Sequence, residues 1–379
     1  MRFQTIRVAI LAACLSGLPS TPLAGQGQSI FVLTGYGDAT YEAAATSDYP
    51  NDFSASVSPI FLYTMGGNIL FEAELEFGLS GAATTTGLGY AQIDYLGFES
   101  VQIIAGKFLL PFGIFGERQH PTWINKLPTA PVLYGHAHGG VAEGALLPIM
   151  SDAGVMMRWA KPFASKWALD FSAYVTQGPR IATEEAAGDD GHDDVHASLQ
   201  ASLISSEPEH GDEIPAPPVA FGTSFADNNK NKMLGARIGL VKGPSFEVYA
   251  SGFHAMYDEG NFLDFKGGAL SLEWRRGGFE FRTEGVITRQ EFEGDDHFET
   301  LNRGGFYAQA SKKVGQWEPV VRWGRLVDST VDGVEVIEGH NEVAFGLNFW
   351  LEPTVPVKFA YEFHQGRDDR LYIQWAYGF

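Results

Sequence analysis

The chain has 379 residues, 45% of them apolar and 13% aromatic, with 45 glycines, a single cysteine and a formal charge of −20. So acidic a balance excludes a general nucleic-acid-binding surface. At roughly 150 residues per domain the length would allow two or three soluble domains, yet no Pro/Ser-rich linker or long helix-periodic block divides it, so one continuous architecture is expected.

Residues 1–24 have the order of a secretory signal: Arg2 and Arg7, an apolar run from Val8 to Leu18, then small residues through Ala24. The run is shorter than the roughly 20 apolar residues a spanning helix needs. Leu11-Ala12-Ala13-Cys14 resembles a lipobox, so lipidation at Cys14 is the alternative processing. Cleavage after Ala24 leaves 25–379 without cysteine, which rules out disulfides and zinc-thiolate sites there. Losing Arg2 and Arg7 takes the formal charge from −20 to −22. No other stretch approaches 18 consecutive apolar residues, so any membrane span must be made of strands.

Period-two alternation runs through the rest of the chain, as a barrel wall between lipid and water requires. Phe71, Ala73, Leu75 and Phe77 oppose Glu72, Glu74 and Glu76. Trp167, Leu169, Phe171, Ala173 and Val175 oppose Asp170, Ser172, Tyr174 and Thr176, and Phe279 and Phe281 oppose Glu280, Arg282 and Glu284. Val357, Phe359, Tyr361 and Phe363 oppose Lys358, Glu362 and His364; Leu371, Ile373, Trp375, Tyr377 and Phe379 oppose Tyr372, Gln374 and Ala376. Cutting at turn signals predicts about sixteen strands, near 29–42, 53–65, 68–80, 86–97, 100–110, 151–160, 167–177, 232–242, 245–257, 263–276, 278–290, 304–314, 317–328, 341–351, 356–366 and 369–379. Every second connection is a tight turn, among them Gly66-Gly67, Gly243-Pro244, Gly277-Gly278 and Glu352-Pro353, and most of those between are longer and more polar. The fold class read from this is an all-β transmembrane antiparallel barrel. Two connections are long, 111–150 after the fifth strand and 178–231 after the seventh, the second strongly acidic.

With its opening strand Phe31-Val-Leu-Thr-Gly-Tyr-Gly-Asp38, the loop after strand five and the terminal Leu371-Tyr-Ile-Gln-Trp-Ala-Tyr-Gly-Phe379, the chain resembles the sixteen-stranded porins of Gram-negative outer membranes. Ala105-Gly-Lys-Phe-Leu-Leu-Pro-Phe-Gly113 is similar to a motif of the phosphate-selective and related anion porins. The resemblance implies an outer-membrane location among lipid and lipopolysaccharide, a terminal strand read by the barrel-assembly machinery, a constriction loop folded into the lumen, and a homotrimer.

Selectivity in a pore is set by charges at its narrowest point, where a low-dielectric wall focuses their field. The expected constriction residues are Lys107, Glu117, Arg118, His120, Lys126, His136 and His138. Those of the wall are Glu72, Glu74, Glu76, Arg158, Arg237, Arg275, Arg282, Arg322 and Lys358, with Asp170, Glu280 and Glu284. The bland alternatives are that inward Arg and Glu pair across strands to keep the wall rigid, and that the 111–150 loop lies over the mouth instead. In the acidic loop, Asp189, Asp190, His192, Asp193, Asp194 and His196 offer carboxylates and imidazoles that could take a divalent cation; the spacing fits no defined site, and a solvated loop is the alternative. No other cofactor is expected. A Gly-x-Ser-x-Gly elbow and a His-Glu-x-x-His pair are both missing. The expected function is passive diffusion of small hydrophilic solutes or ions, leaning to anions and without catalysis. The alternatives are a metal-capturing or adhesive surface barrel, or an outer-membrane hydrolase using histidines at the rim.

Overall fold

The computed structural model describes residues 29–44, 51–80, 83–134, 145–164, 166–181, 215–222, 229–294, 297–366 and 368–379. Residues 1–24, read as an export signal, His136, His138 and the acidic stretch from Asp189 to His196 lie outside them.

In chain order the strands are β1 (Ile30–Ala44), β2 (Asp52–Met65), β3 (Ile69–Ser80), β4 (Ala83–Tyr95), β5 (Val101–Leu109), β6 (Ser151–Ala164), β7 (Trp167–Thr176), β8 (Arg180–Ile181), β9 (Val219–Ala220), β10 (Met233–Lys242), β11 (Phe246–Met256), β12 (Asp264–Arg276), β13 (Phe279–Glu293), β14 (Phe298–Lys312), β15 (Trp317–Leu326), β16 (Ser329–Val331), β17 (Val334–Ile337), β18 (His340–Glu352), β19 (Val355–His364) and β20 (Arg370–Gly378). Successive wall strands pair antiparallel; β7 pairs with β10 and β15 with β18 across the short pairs β8–β9 and β16–β17. The wall therefore has sixteen strands. It closes where β1 meets β20, in register from Tyr36↔Gly378 to Ala44↔Arg370. The last residue completes the seam, with Phe379 N donating to Gly35 O at 3.0 Å and Gly35 N to Phe379 O at 3.1 Å.

Side chains sort by alternation, apolar outward and polar inward. On β20 Ile373 is 39% and Trp375 55% exposed, whereas Gln374 and Ala376, which alternate with them, are fully buried. Inward positions elsewhere hold Arg237, Glu273, Arg282, Arg322, Lys358 and Glu362, each at most 4% exposed. An apolar exterior around a polar interior is stable only with hydrocarbon outside. Among the described residues no helix is long and apolar enough to cross a membrane. At the tight-turn end Gly66 and Gly67 (φ 61° and 77°) join β2 to β3, and Gly277 and Gly278 (φ 58° and 79°) join β12 to β13. A side chain is strained at such φ values, so these turns take glycine.

The structure departs from the expected boundaries at the long-loop end. β13 and β14 continue to Glu293 and from Phe298, pairing Glu291↔Thr300 and Phe292↔Glu299. Residues such as Glu291, Glu293, Glu299 and Asn302 carry no lipid-water alternation there, so the ladder outlasts its sequence signal. The β16–β17 hairpin, which pairs onto β14 through Leu301↔Val331, goes unsignalled for the same reason.

Outward Ile373 faces lipid, so Ile373→Arg is expected to destabilise the folded barrel by about 2–4 kcal/mol at mid-depth of the bilayer. Reversible unfolding from lipid vesicles measures this, and an unchanged midpoint would mean that the face was assigned to the wrong side.

Candidate functional site

β5 ends at Leu109, and Pro111 two residues on has no N–H to extend the ladder. The chain then leaves the wall and follows its inner surface. Gly113 (φ 66°) makes the bend, and a Cβ there would stand 2.6 Å from the Glu284 carboxylate. Its N–H donates to Ser251 Oγ at 3.0 Å, and Ile114 N donates to Glu284 Oε2 at 2.6 Å. A π-helical turn, Phe115–Gln119, follows. From it Arg118 reaches Glu247 on β11 (2.8 Å) and Gln119 reaches Glu273 on β12 (2.9 Å). His120 packs edge-on to Tyr36 of β1 at 6.1 Å, and Thr122 Oγ1 donates to Gly37 O at 3.3 Å.

The segment then turns along β15, β18 and β19. Lys358 Nζ donates to the carbonyls of Thr122 and Asn125, the latter at 2.7 Å, and Asn348 Nδ2 to Lys126 O at 2.8 Å. Lys126 pairs with Glu318 at 3.3 Å over the Trp350 ring. Arg322 grips Thr129 twice, at its carbonyl (2.9 Å) and hydroxyl (2.7 Å), and that hydroxyl donates to Glu362. Tyr134 stacks on Phe115 and donates to Glu284, which returns the segment to its starting wall.

Apolar contacts seat it further. A Cβ on Gly346 would lie 2.5 Å from Leu127, one on Gly324 2.7 Å from Val132, and one on Gly305 2.9 Å from Leu133. Three inward glycines on β18, β15 and β14 thus let the apolar side chains of the segment seat directly on the wall. Fully buried Leu127 and Leu133 contribute about 1.5–3 kcal/mol each. Sequence reasoning passed over these glycines; their signal is a glycine where alternation places an inward side chain.

One ionic chain links the segment to the wall near the tight turns. Glu117 pairs with Arg237 and Arg158, with Arg118 at 3.8 Å. Arg118 and Arg237 both lie over the Tyr249 ring, 5.0 and 4.7 Å from its centroid. The chain continues through Glu247 to Arg275 (3.5 Å), then to Glu273 and Glu280 (3.2 Å), both shared with Arg282. Burial opposes charge on Glu117, but Arg237, Arg158 and Arg118 outweigh it and hold the carboxyl down at about 2.

Within this chain the acids are covered and three cations are not. Glu117, Glu247, Glu273 and Glu280 have side chains 2–13% exposed, whereas Arg118, Arg158 and Arg275 are 27%, 31% and 37% exposed. Of the other expected residues, Glu72 and Glu76 are half-buried on β3 and Glu74 accepts from Tyr36 at 2.8 Å. Asp170 keeps 28% exposure, 3.8 Å from Arg237. Lys107 is sealed in the wall at 2% exposure, donating to Leu88 O at 2.7 Å. Arg282, Arg322 and Lys358 face inward as expected but lie beneath the segment, 0–4% exposed. The described end of the loop after the seventh wall strand puts Phe221 against Phe253 and Phe265.

No protein-family model and no curated protein matches the chain in sequence. Solved structures do match it in shape. OmpF of Salmonella typhi in complex with daunomycin is 11% identical, with a TM-score of 0.57 over 93% of this chain and 100% of that one. The anion-selective porin of Comamonas acidovorans is 10% identical (0.55, 93% and 100%), and OmpT, an outer membrane protein of Vibrio cholerae in its trimer form, is 9% identical (0.55, 93% and 99%). What the chain shares with these proteins is the fold, the closed sixteen-stranded antiparallel barrel of outer-membrane porins.

Proposed function

We propose that this protein is an outer-membrane porin, a water-filled path for passive diffusion of small hydrophilic solutes or ions, with the segment after β5 as its constriction and a lean towards anions. The observation that carries the reading is the uneven exposure along the ionic chain: Arg158 and Arg275 keep side chains 31% and 37% exposed while their carboxylate partners are covered, and Arg118, 27% exposed, keeps its Nε and Nη2 atoms buried beside them. A low-dielectric wall focuses that field on a passing ion, and guanidinium is suited to phosphate and carboxylate oxygens. Support for the anion lean therefore comes from these arginines more than from Lys107, whose ammonium is taken up by the wall. We propose a homotrimer with it, seated on the small outward side chains of Ala39, Ala55 and Val57 between Phe77 and Trp375.

Purified protein is expected to raise planar-bilayer conductance in discrete steps; a folded barrel that never conducts, or that hydrolyses lipid or peptide instead, ends the pore reading. In a salt gradient, Arg118→Ala, Arg158→Ala and Arg275→Ala should each move the reversal potential towards cation preference, and three unmoved potentials would remove the arginines from selectivity. Gly346→Leu, which occupies the seat of Leu127, is expected to dislodge the segment and raise unit conductance, measured on the same membranes.

Glu117 supplies a pH test. Its folded carboxyl lies at about 2, below the ordinary carboxylate value, so its contribution is fully present above that value and is lost as pH falls through about 2. Glu117→Gln leaves Arg237 buried without its partner and should cost of the order of 3 kcal/mol at pH 7. The two unfolding midpoints converge near pH 2; a gap that persists there would show that charge is not the cause.

A further inference from the structure

At the long-loop end of β18 and β19, His340, Glu342, Glu362 and His364 meet inside the barrel. Among the described residues, Glu342, Glu362 and His364 each bring a ligand atom within 4.8 Å of the other two. Arg322 lies beneath, its Nη2 2.9 Å from Glu342 Oε1 and 3.0 Å from Glu362 Oε1. Arg322 contacts the Oε1 atom of each carboxylate, and the Oε2 atom of Glu362 is turned towards His364.

The histidines fix which lone pair faces that oxygen. His340 Nδ1 lies 3.0 Å from Gln365 O, and a carbonyl only accepts, so this nitrogen carries the proton. In a neutral ring His340 Nε2 is then an acceptor, and its partner at 3.4 Å, His364 Nδ1, must donate to it. The proton of a neutral His364 is thereby committed to Nδ1, which leaves a bare lone pair on Nε2. That nitrogen has no hydrogen-bond partner, its side chain is 8% exposed, and it faces Glu362 Oε2 at 3.6 Å. A lone pair aimed at a carboxylate oxygen is repulsive, and 3.6 Å is too long for a hydrogen bond to bridge.

We propose that this cluster binds a divalent transition-metal cation such as Zn²⁺, with His364 Nε2, a Glu362 carboxylate oxygen and Glu342 as its protein ligands. Two atoms bonded to one tetrahedral Zn²⁺ at about 2.0–2.1 Å stand roughly 3.3 Å apart, so the 3.6 Å gap needs only a small contraction. The remaining histidine has the place of an outer partner: His364 Nδ1–H donates to His340, which in turn donates to the chain, and that orients the ligand ring. An imidazole with two carboxylates favours a borderline-soft ion over Ca²⁺, which takes six to eight oxygens. The site shares no residue with the Asp189–His196 stretch, and the ends of β18 and β19 open towards the loops.

Calorimetric titration of the folded full-length protein with Zn²⁺ tests this. One ion per chain is expected at the cluster, with one imidazole nitrogen and carboxylate oxygens in the zinc-edge X-ray absorption spectrum. His364→Gln should weaken that binding at least tenfold and His340→Ala by roughly ten- to a hundredfold, while His192→Ala with His196→Ala leaves it in place. Heat-modifiable gel migration verifies that each variant is folded, and His364→Gln leaves the Thr129–Arg322–Glu362 contacts intact. Zn²⁺ affinity unchanged by His364→Gln, binding lost only with His192 and His196, or Ca²⁺ held as tightly as Zn²⁺ would each overturn the site.

Discussion

Inside a bilayer every backbone N–H and C=O must find a partner within the protein, and the closure of β1 onto β20 is how this chain meets that demand. An open sheet of the same strands would leave two unpaired edges in hydrocarbon, each unmet group costing several kcal/mol. The nine paired positions from Tyr36↔Gly378 to Ala44↔Arg370, with the reciprocal bonds of Gly35 and Phe379 beyond them, remove both edges. Closure also makes one face of every strand interior. The inward Glu, Arg, Lys and Gln side chains are tolerable only because of it, and they supply the material from which the site is built.

A ring of sixteen strands encloses more space than its inward side chains fill, and the segment after β5 resolves that excess. Irregular backbone brings orphan carbonyls, which inside a protein need donors. The wall provides them: Lys358 for Thr122 and Asn125, Asn348 for Lys126, and Arg322 for Thr129. In return the carbonyls of the segment give the Lys358 ammonium and the Arg322 guanidinium acceptors where the segment covers them, since a buried charge stripped of its partners costs several kcal/mol. Wall and segment therefore depend on each other, and the same inward charges that alternation assigns to a pore surface serve on one side of the barrel as its attachment points.

Alternation in the sequence carried the strand count and the inward and outward faces, because both follow from a local period of two. What it could not carry was distance across the lumen. Arg282, Arg322 and Lys358 look from sequence like Arg158, yet the segment covers the first three and leaves Arg158 31% exposed. That difference depends on which carbonyls and apolar side chains of residues 110–134 come to rest on which strand. Gly305, Gly324 and Gly346 do mark the resting places, but one by one they read as ordinary breaks in a strand. Lys107 shows the opposite limit. Its motif suggests an anion ligand, and only the fold reveals that its ammonium is taken up by Leu88 O.

The cluster at His364 extends this logic to the mouth of the barrel. Glu362 divides its two oxygens: Oε1 holds Arg322 and the hydroxyl of Thr129, and Oε2 faces His364. The carboxylate that attaches the segment is thus also one of the proposed metal ligands. An ion drawn to Oε2 withdraws electron density from Oε1 and weakens the pull on Arg322, whose second carboxylate, Glu342, belongs to the same cluster. Thr129 remains held by Arg322 at both carbonyl and hydroxyl, so the segment keeps its anchor while the charge beside it changes. The proposed metal site and the segment after β5 thus share one buried arginine, Arg322.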